Sequence, residues 1–479
     1  MNTPRAQAVP MSVGDAGLVF SDRYRDSKTT QYAAFFDGSR QDVSESGLSD
    51  WMRDRLDCAW YHRRRLHRYP GDLAPPAWVP APDLVVENHV RVHDVTNWGE
   101  ASEIIVRLLA TSVDLDRPPW DVTLIQGVRD LGDGFPGRCS ILVYRVHHAA
   151  SDGLAKAETM RRMLRADPLP SSAPTTVPLA STVRALSAIP GDTARYLRAL
   201  RQPAAALDPG EAPRVFPDLR FTQGVSGHPR IGFVEFPLST VRIIRAAAAS
   251  STVNDVALTV IGGAMREFLT AIGEKPADSL HTLMPISATR RSGSANSLAV
   301  GVVNMHTDEA DPLTRLDRVR AASQAEKRRL SQEAIHQLID RHQSLPCWIA
   351  RLAFRRPRPA PPGTRPATNI ANVPSGLDEH AEFLGGTHPA SDHLAPVHGR
   401  PLAATRDHLV RRPPGDRRDG GQRGDAGHRG LRAATPRRVR PARRRRRACR
   451  QRRVGTGYRL PAQKQRPCDS AGRPSTMAK

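Results

Sequence analysis

The stretch Cys139–Gly153, CSILVYRVHHAASDG, places two histidines and a carboxylate at the end of an apolar run. Cys139 to Val146 is rich in β-branched, aromatic and aliphatic residues, which predicts a largely buried strand ending in His147 and His148. Neighbouring side chains on a strand point to opposite faces, so the two histidines cannot both enter one cavity. One histidine is therefore a candidate general base, and the other is expected to be structural.

Residues His147–Gly153 form an HHxxxDG motif, whose spacing suits a base that takes a proton from a bound nucleophile. Aspartate and glycine after a short turn permit tight backbone geometry and hold nearby groups in place. A strand that simply ends in two packed histidines is an alternative, which the full pattern disfavours. A serine triad is another, but Ser151 lacks a G-x-S-x-G elbow.

Further segments, together with HHxxxDG, resemble one family of acyltransferases. HHxxxDG marks the acyl-CoA-dependent acyltransferases that are similar to chloramphenicol acetyltransferase, a superfamily that includes peptide-synthetase condensation domains. Asp114–Trp120, DLDRPPW, resembles the LDRxxPLW segment of the bacterial wax ester synthase/diacylglycerol acyltransferase family, with Pro119 at the usual leucine. The resemblance covers roughly residues 14 to 387, in the expected order. The other matching segments are Trp78-Val79, His89-Val90, Val253–Val256, Met284–Ser287, Asn304 and Asn372–Pro374.

This resemblance implies an α/β fold with two chloramphenicol-acetyltransferase-like domains, whose mixed sheets are flanked by helices. It implies an O-acyltransferase of the diacylglycerol O-acyltransferase/wax ester synthase type, which moves a long-chain acyl group from acyl-CoA to the hydroxyl of diacylglycerol or a fatty alcohol. The product is triacylglycerol or wax ester. Acyl-CoA is a substrate, so neither a separate cofactor nor a metal is expected. A condensation-type or small-acceptor acyltransferase of the same superfamily is the alternative enzyme.

The resemblance also assigns catalytic roles. His148, the second histidine, is the superfamily's usual base, and it would accept a proton from the acceptor hydroxyl as that oxygen attacks the thioester. His147 and Asp152 would support the histidine loop. The expected substrate-binding or structural positions are Gly153, Asn254, Asp255, Pro119 and Trp120.

Two pairs among these positions have structural alternatives. Pro119 and Trp120 offer no proton transfer at neutral pH, so they are expected to shape and pack a loop. Asn254 and Asp255 lie where a long helix is predicted to begin, and such residues commonly cap exposed backbone N–H groups. The resemblance instead favours a place along the tunnel between the domains, opposite the histidine.

The pattern along the chain suggests an N-terminal half over residues 1–180, a proline-rich crossover over 181–214 and a C-terminal half over 215–387. The elements alternate between helix and strand, without an internal repeat. Predicted helices are Ser49–Cys58, Trp98–Thr111, Ser181–Leu200, Ser239–Ala248, Asp255–Ile272 and Leu313–His342. Further predicted strands are Ile231–Phe236, His281–Ser287 and Ala299–Thr307.

Residues 388–479 differ in composition from the rest, because they hold 25 Lys+Arg and 6 Asp+Glu and supply most of the net charge of +23. Their only Phe, Trp or Tyr is Tyr458. Such a tail buries too little apolar surface to offset its ordering entropy, which predicts disorder. Arg443–Arg447 also allow a non-catalytic protein that binds nucleic acid or an anionic membrane through this tail, although stacking aromatics are nearly absent.

Arginine greatly exceeds lysine in this tail, which is typical of a GC-rich gene read out of frame. A frameshift that replaced the native C-terminal elements is therefore a hypothesis, and it leaves the activity of the chain open. Retranslating the coding DNA tests it, since the absence of a family-like SYxG segment from both alternative frames would reject it.

The five cysteines have no CxxC pairing, which fits a reducing cytosol better than a disulfide framework or a zinc site. The first twenty residues lack the apolar stretch of a secretory signal, and no window approaches roughly 18 uncharged apolar residues. The sequence therefore predicts a cytoplasmic protein that meets membranes or lipid droplets only peripherally. Acyl-CoA and a lipid alcohol are the expected partners, and nucleic acid is not.

Overall fold

Strand β7, Cys139–His147, is fully buried and lies inside a six-stranded mixed sheet, which places the histidine motif at the end of a central strand. The other five strands are Thr29–Asp37 (β2), Val90–Asp94 (β5), Trp120–Val128 (β6), Glu382–Phe383 (β12) and Gly386–Thr387 (β13). The strand order is β12-β13-β2-β7-β6-β5. The neighbours of β7, β2 and β6, both run antiparallel to it, whereas β5 and β6 are parallel to each other.

The structure is a computed structural model that describes residues 6–22, 27–37, 42–129, 131, 135, 137–203, 205, 215–219, 230–234, 236–248, 250–274, 278–287, 298–355, 363–373, 382–384 and 386–387. The chain divides into two units, Met1–Arg412 and Pro413–Lys479, and every described residue belongs to the first. The predictions made for residues 388–479 therefore lie outside the described residues.

Among the described residues, two smaller sheets accompany the central one. A four-stranded sheet has the order β3-β4-β1-β8, and its strands are Gln7–Pro10 (β1), Arg64–His67 (β3), Ala77–Pro80 (β4) and Val177–Pro178 (β8). A three-stranded mixed sheet in the C-terminal half has the order β10-β9-β11, and its strands are His281–Ser287 (β9), Leu298–Asn304 (β10) and Thr368–Asn369 (β11). The predicted α/β class with mixed sheets is confirmed.

Helices flank these sheets. In the N-terminal half they are Val13–Ser21 (α1), Glu45–Arg53 (α2), Trp98–Ala110 (α3) and Gly153–Met163 (α4), followed by Thr182–Ser187 (α5) and Ile189–Arg201 (α6). In the C-terminal half they are Leu238–Ala247 (α7), Val253–Ala271 (α8), Pro312–Leu330 (α9), Glu333–Gln343 (α10) and Cys347–Arg355 (α11). Short 3-10 helices occur at Leu56–Cys58, Pro70–Asp72 and Val86–His89.

Both faces of β7 are covered, which explains why its sequence is apolar without alternation. Leu142 and Tyr144 belong to the cluster that includes residues of α1, α2 and α4, whereas Ile141 and Val143 belong to the cluster that includes residues of α3. Burying these aliphatic and aromatic side chains contributes about 1.5–3 kcal/mol each. The strand end that carries the histidines is thus fixed by a core on either side.

Several predicted elements differ from the observed ones. The predicted strand Ile231–Phe236 is wrong, since 231–234 and 236 form no strand in the described part. The alternation is nevertheless real, because Ile231 and Phe233 pack on the core whereas Gly232 and Val234 are exposed. The segment 231–234 therefore alternates like a strand, but among the described residues it pairs with no other strand.

Two long predicted helices are each divided in two. The helix predicted at Ser181–Leu200 breaks at Ala188, and Pro190, which has no N–H to donate, lies in the first turn of α6. The helix predicted at Leu313–His342 breaks at Ser331, whose hydroxyl donates to the Arg328 carbonyl oxygen at 2.7 Å. Such side-chain bonds compete with the helical backbone pattern.

Candidate active site

The end of β7 is held from both sides by backbone hydrogen bonds. The His147 N–H donates to the Pro119 carbonyl oxygen at 2.9 Å, and the His148 N–H donates to the Lys28 carbonyl oxygen at 2.8 Å. The strand itself stops at His147, and His148 lies in the following turn. The prediction that both histidines belong to the strand is therefore wrong by one residue, so strand alternation alone does not separate their side chains.

His147 is enclosed by protein. Its side chain is fully buried, and its Nδ1 accepts a hydrogen bond from the Ala149 N–H at 3.1 Å. An accepting Nδ1 leaves the proton of a neutral imidazole on Nε2. Nε2 faces the Asp22 carboxylate, with Oδ2 3.5 Å away. His147 is thus engaged on both sides of its ring by the protein.

His148 has a more open position, since its side chain is partly exposed. It follows the last strand residue directly and precedes two buried alanines, Ala149 and Ala150. A histidine at a fixed backbone position with solvent access can meet a substrate and exchange a proton with it. The two histidines of the motif therefore differ in access, although they are adjacent in sequence.

Asp152 and Gly153 form the start of α4. Asp152 is buried and is the N-cap residue, and its Oδ1 accepts a hydrogen bond from the Ala155 N–H at 2.8 Å. Gly153 is the first helical residue, and a Cβ there would lie 3.2 Å from Cγ2 of Val373. The segment Asn372-Val373 from the C-terminal half thus reaches the histidine loop. The structure brings these two sequence motifs together.

Pro119 and Trp120 lie beside the histidine loop but are directed into the core. Pro119 contributes its carbonyl oxygen to His147, as described above. Trp120 is buried, its indole Nε1 donates to the His62 carbonyl oxygen at 3.0 Å, and its ring stacks on His89 at a centroid distance of 4.5 Å. These contacts hold Trp120 in the core beside the histidine loop.

Asn254 and Asp255 occupy the first turn of α8, yet neither is its N-cap. Thr252 caps the helix, and Asp255 completes a capping box, because its Oδ2 accepts from the Thr252 N–H at 2.8 Å. Asn254 donates from Nδ2 to Sδ of Met284 at 2.8 Å, which joins two of the motif segments. Among the contacts of the described residues, none links Asn254 or Asp255 to His148.

Comparisons with known proteins identify the family of this chain. Residues 11–257 match the wax ester synthase/diacylglycerol acyltransferase catalytic domain, and residues 294–398 match the WS/DGAT C-terminal domain. The chain belongs to the wax ester synthase/diacylglycerol acyltransferase family. The first match runs from the predicted N-terminal half through the crossover into the C-terminal half, and the second extends past residue 387, so the boundaries at 180, 214 and 387 stay predictions.

Relatives in this family include a Mycobacterium bovis protein assigned as a diacylglycerol O-acyltransferase, 25% identical over 443 residues that cover 84% of each chain. A Mycobacterium tuberculosis protein of the same assignment is 30% identical over 296 residues, which cover 55% of this chain and 60% of the relative. A solved wax ester synthase/diacylglycerol acyltransferase from Marinobacter aquaeolei VT8 is 20% identical, with a TM-score of 0.46, and the match covers 71% of this chain and 79% of that one.

The histidine loop also has supports that the sequence motifs do not reveal. His62 lies in a buried polar network, because its Nε2 contacts the Tyr144 hydroxyl at 2.8 Å and that hydroxyl lies 3.0 Å from the hydroxyl of Tyr61. Tyr144 lies on β7, three residues before the first histidine of the motif. Burial lowers the pKa of His62 to about 3 and raises the pKa of both tyrosines, so the network is uncharged at neutral pH.

Arg145 is a second missed support. It lies two residues before His147, is buried, and pairs with Asp121 through a 2.7 Å bond from Nε to Oδ1. Its Nη1 also donates to the carbonyl oxygens of Leu108, at 2.5 Å, and Thr111, at 3.0 Å, near the end of α3. A charged residue within an apolar strand was a usable signal, since buried charges need partners.

None of the helices among the described residues combines the length and apolarity required to cross a bilayer.

Proposed function

We propose that this chain transfers a long-chain acyl group from acyl-CoA to the hydroxyl of diacylglycerol or a fatty alcohol, with His148 as the general base. The proposal rests on family membership and on one observation in the motif. His147 is fully buried with its ring enclosed by protein, whereas His148 is partly exposed on the same loop. Only the second histidine has the access that a base needs.

The proposed reaction proceeds without a covalent enzyme intermediate. His148 accepts the hydroxyl proton as the acceptor oxygen bonds to the thioester carbonyl carbon. The carbon–sulfur bond then breaks, the CoA thiolate leaves, and the imidazolium returns a proton to that sulfur. An ester and free CoA are the products, and His148 ends in its starting state.

Proton transfer by a positioned base contributes about 10²- to 10⁴-fold to the rate. Orientation of acceptor and thioester must supply much of the remainder, and effective molarities of about 10⁵–10⁸ M show how large that contribution can be. The fixed backbone around His148 matters for this reason, because a displacement of about 1 Å can cost about 10²-fold.

The experiment measures turnover of long-chain acyl-CoA by the purified full-length protein. A thiol reagent detects the CoA that is released. Acceptors are diacylglycerol, a fatty alcohol and small alcohols or amines. The described cysteines, Cys58, Cys139 and Cys347, are buried, and burial raises the pKa of Cys58 to about 11, which limits their reaction with the reagent. A blank without acceptor measures any remaining background.

We expect His148→Ala to lower kcat by about 10²- to 10⁴-fold while the unfolding midpoint changes little. His336→Ala is the control, because His336 is also partly exposed but lies on α10. Equal rates for His148→Ala and wild type would contradict the role of His148. Turnover only with small acceptors would favour the condensation-type alternative.

We also propose that the protein meets its apolar acceptor at a lipid surface without spanning it. Arg329 pairs with Glu326 at 2.6 Å and Arg351 approaches Asp72 at 3.8 Å, so these two arginines are engaged within the protein. Presenting diacylglycerol in vesicles with and without anionic phosphatidylglycerol tests the proposal. Equal turnover in both would argue against electrostatic docking.

A further inference from the structure

Asp22 is a carboxylate that lies 125 positions before the histidine it faces. It is the first residue after α1, and its side chain is 12% exposed. Oδ1 accepts hydrogen bonds from the Lys28 N–H at 2.6 Å and from the Ser112 hydroxyl at 2.7 Å. Oδ2 faces Nε2 of His147. Two hydrogen-bond donors and the His147 ring therefore face one carboxylate, which when ionised has no proton of its own to donate.

The first link from Asp22 runs through the His147 ring. Nε2 of His147 is buried and has no closer acceptor among the described residues, so Asp22 is the group that favours a proton there. The separation of 3.5 Å is long for a hydrogen bond, so the attraction is largely electrostatic. With its proton on Nε2, the ring accepts the N–H of Ala149, the residue after His148.

The second link runs through the Lys28 backbone. The Lys28 N–H donates to Asp22, and the Lys28 carbonyl oxygen accepts from the His148 N–H at 2.8 Å. His148 is thus held at its own N–H through Lys28, and the next N–H is held through His147. Both routes end at the same carboxylate.

The state of Asp22 fits this arrangement. Burial raises the pKa of Asp22, but the facing His147 ring and the hydrogen bonds from Ser112 and the Lys28 backbone lower it further than burial raises it. The carboxyl is therefore ionised at neutral pH. Arg145, the nearby buried cation on β7, is paired with Asp121.

We infer that Asp22 is a positioning residue for His148: its carboxylate sets the tautomer of His147 and anchors Lys28, and these two together orient the loop that carries the base. This inference rests on the proposed role of His148. The carboxylate cannot be replaced by its amide, because an asparagine must direct its N–H₂ at either the His147 side or the Lys28 and Ser112 side. One donor–donor contact then remains in a buried place.

The test combines kinetics with a direct measurement of the tautomer. Asp22→Asn in the full-length protein is expected to lower kcat for acyl transfer by about 10²-fold with a smaller change in KM, since binding of acyl-CoA does not depend on proton transfer. Asp311→Asn is the matched control. Asp311 caps α9 by accepting from the Thr314 N–H at 2.7 Å, a bond that asparagine also makes, so kcat is expected to stay at the wild-type value.

The tautomer is read from long-range ¹H–¹⁵N correlations of histidine rings in protein labelled with ¹⁵N-histidine. The His147 signal is assigned by its loss in His147→Gln. In the wild type we expect the Nε2–H tautomer, and in Asp22→Asn we expect that state to be depleted. A wild-type His147 with its proton on Nδ1 would overturn the inference, even if Asp22→Asn failed to fold.

The two hypotheses fail differently. If His148→Ala keeps the wild-type kcat, His148 is not the base. The tautomer of His147 then still tests whether Asp22 makes the inferred contacts. An inactive His148→Ala together with wild-type kcat and an unchanged His147 tautomer in Asp22→Asn would reject only the role of Asp22.

Discussion

His147 and His148 differ in surroundings because of hydrogen bonds that come from distant parts of the chain. Because neighbouring side chains on a strand point to opposite faces, the sequence predicts that only one of the two histidines faces a cavity. In the structure the strand stops at His147, and the separation comes from Ala149 and Asp22, which enclose the His147 ring. No local pattern identifies Asp22, since its partner lies on a strand 125 positions later.

His62 gives a prediction at the same scale. Its pKa is about 3 in the folded protein, because burial disfavours the imidazolium, against 6.5 for an ordinary histidine. A depressed histidine pKa means that the unfolded state binds the proton more tightly. The contribution of neutral His62 to the free energy of unfolding is therefore fully present above about pH 6.5, and it falls as the pH is lowered towards 3.

We expect the wild type to lose about 1 kcal/mol more than His62→Gln between pH 6.5 and 5.5, since one extra proton is worth about 1.4 kcal/mol per pH unit. Urea unfolding of both proteins at pH 7.5, 6.5 and 5.5 measures this. The variant is expected to be less stable throughout, because the Tyr144 hydroxyl loses one of its two partners. Parallel losses in the two proteins on acidification would show that His62 is not the titrating group.

At the scale of elements, the HHxxxDG motif is a strand end joined to a helix start. Asp152 caps α4 through the Ala155 N–H, and the helix leads to Met160 and Met163, which are fully buried in the core. Packing of α4 therefore fixes the position of the cap, and the cap limits where the loop can lie. The aspartate of the motif serves this geometry.

Variants of Asp152 separate capping from a charge effect. Asp152→Ala is expected to cost about 1 kcal/mol of stability, because the Ala155 N–H loses its acceptor. Asp152→Asn keeps an acceptor oxygen and should recover most of that stability and most of the kcat lost in the alanine variant. Urea unfolding and acyl-transfer rates for the three proteins check this. An asparagine variant as inactive as alanine but fully stable would assign the carboxylate charge a role beyond capping.

Elements with a strong local signal could be predicted from sequence, and those that depend on partners could not. The apolar run of β7 and the helix predicted at Trp98–Thr111, observed as Trp98–Ala110, carry such signals. The segment around Ile231 and Phe233 alternates like a strand, but pairing depends on a neighbour that the local pattern does not contain. The start of α8 is similar, because the cap is Thr252 and not the aspartate three residues later.

At the scale of the whole molecule, the C-terminal half contacts the N-terminal half at several places. Phe383 on β12 packs edge-on against Trp51 of α2, with ring centroids 5.0 Å apart. Gly17 of α1 lies so close to Phe354 of α11 that a Cβ would be 2.6 Å from that ring. Together with the contact between Gly153 and Val373, these sites place parts of the C-terminal half directly on the core that positions His148.

The contact between Gly153 and Val373 gives a test of this coupling. Gly153 is the first residue of α4 and has no positive φ, so alanine there would ordinarily stabilise the protein by roughly 0.4–1 kcal/mol. In this protein the new Cβ would lie 3.2 Å from Cγ2 of Val373, which requires one of the two groups to shift by a few tenths of an ångström.

We therefore expect Gly153→Ala to give no gain in stability in the wild-type background, and to stabilise the protein when Val373→Ala removes the obstructing methyl group. Urea unfolding of the four proteins of this cycle should give a coupling energy of about 0.5 kcal/mol or more. The same effect of Gly153→Ala in both backgrounds would mean that Asn372-Val373 does not press on the histidine loop in solution.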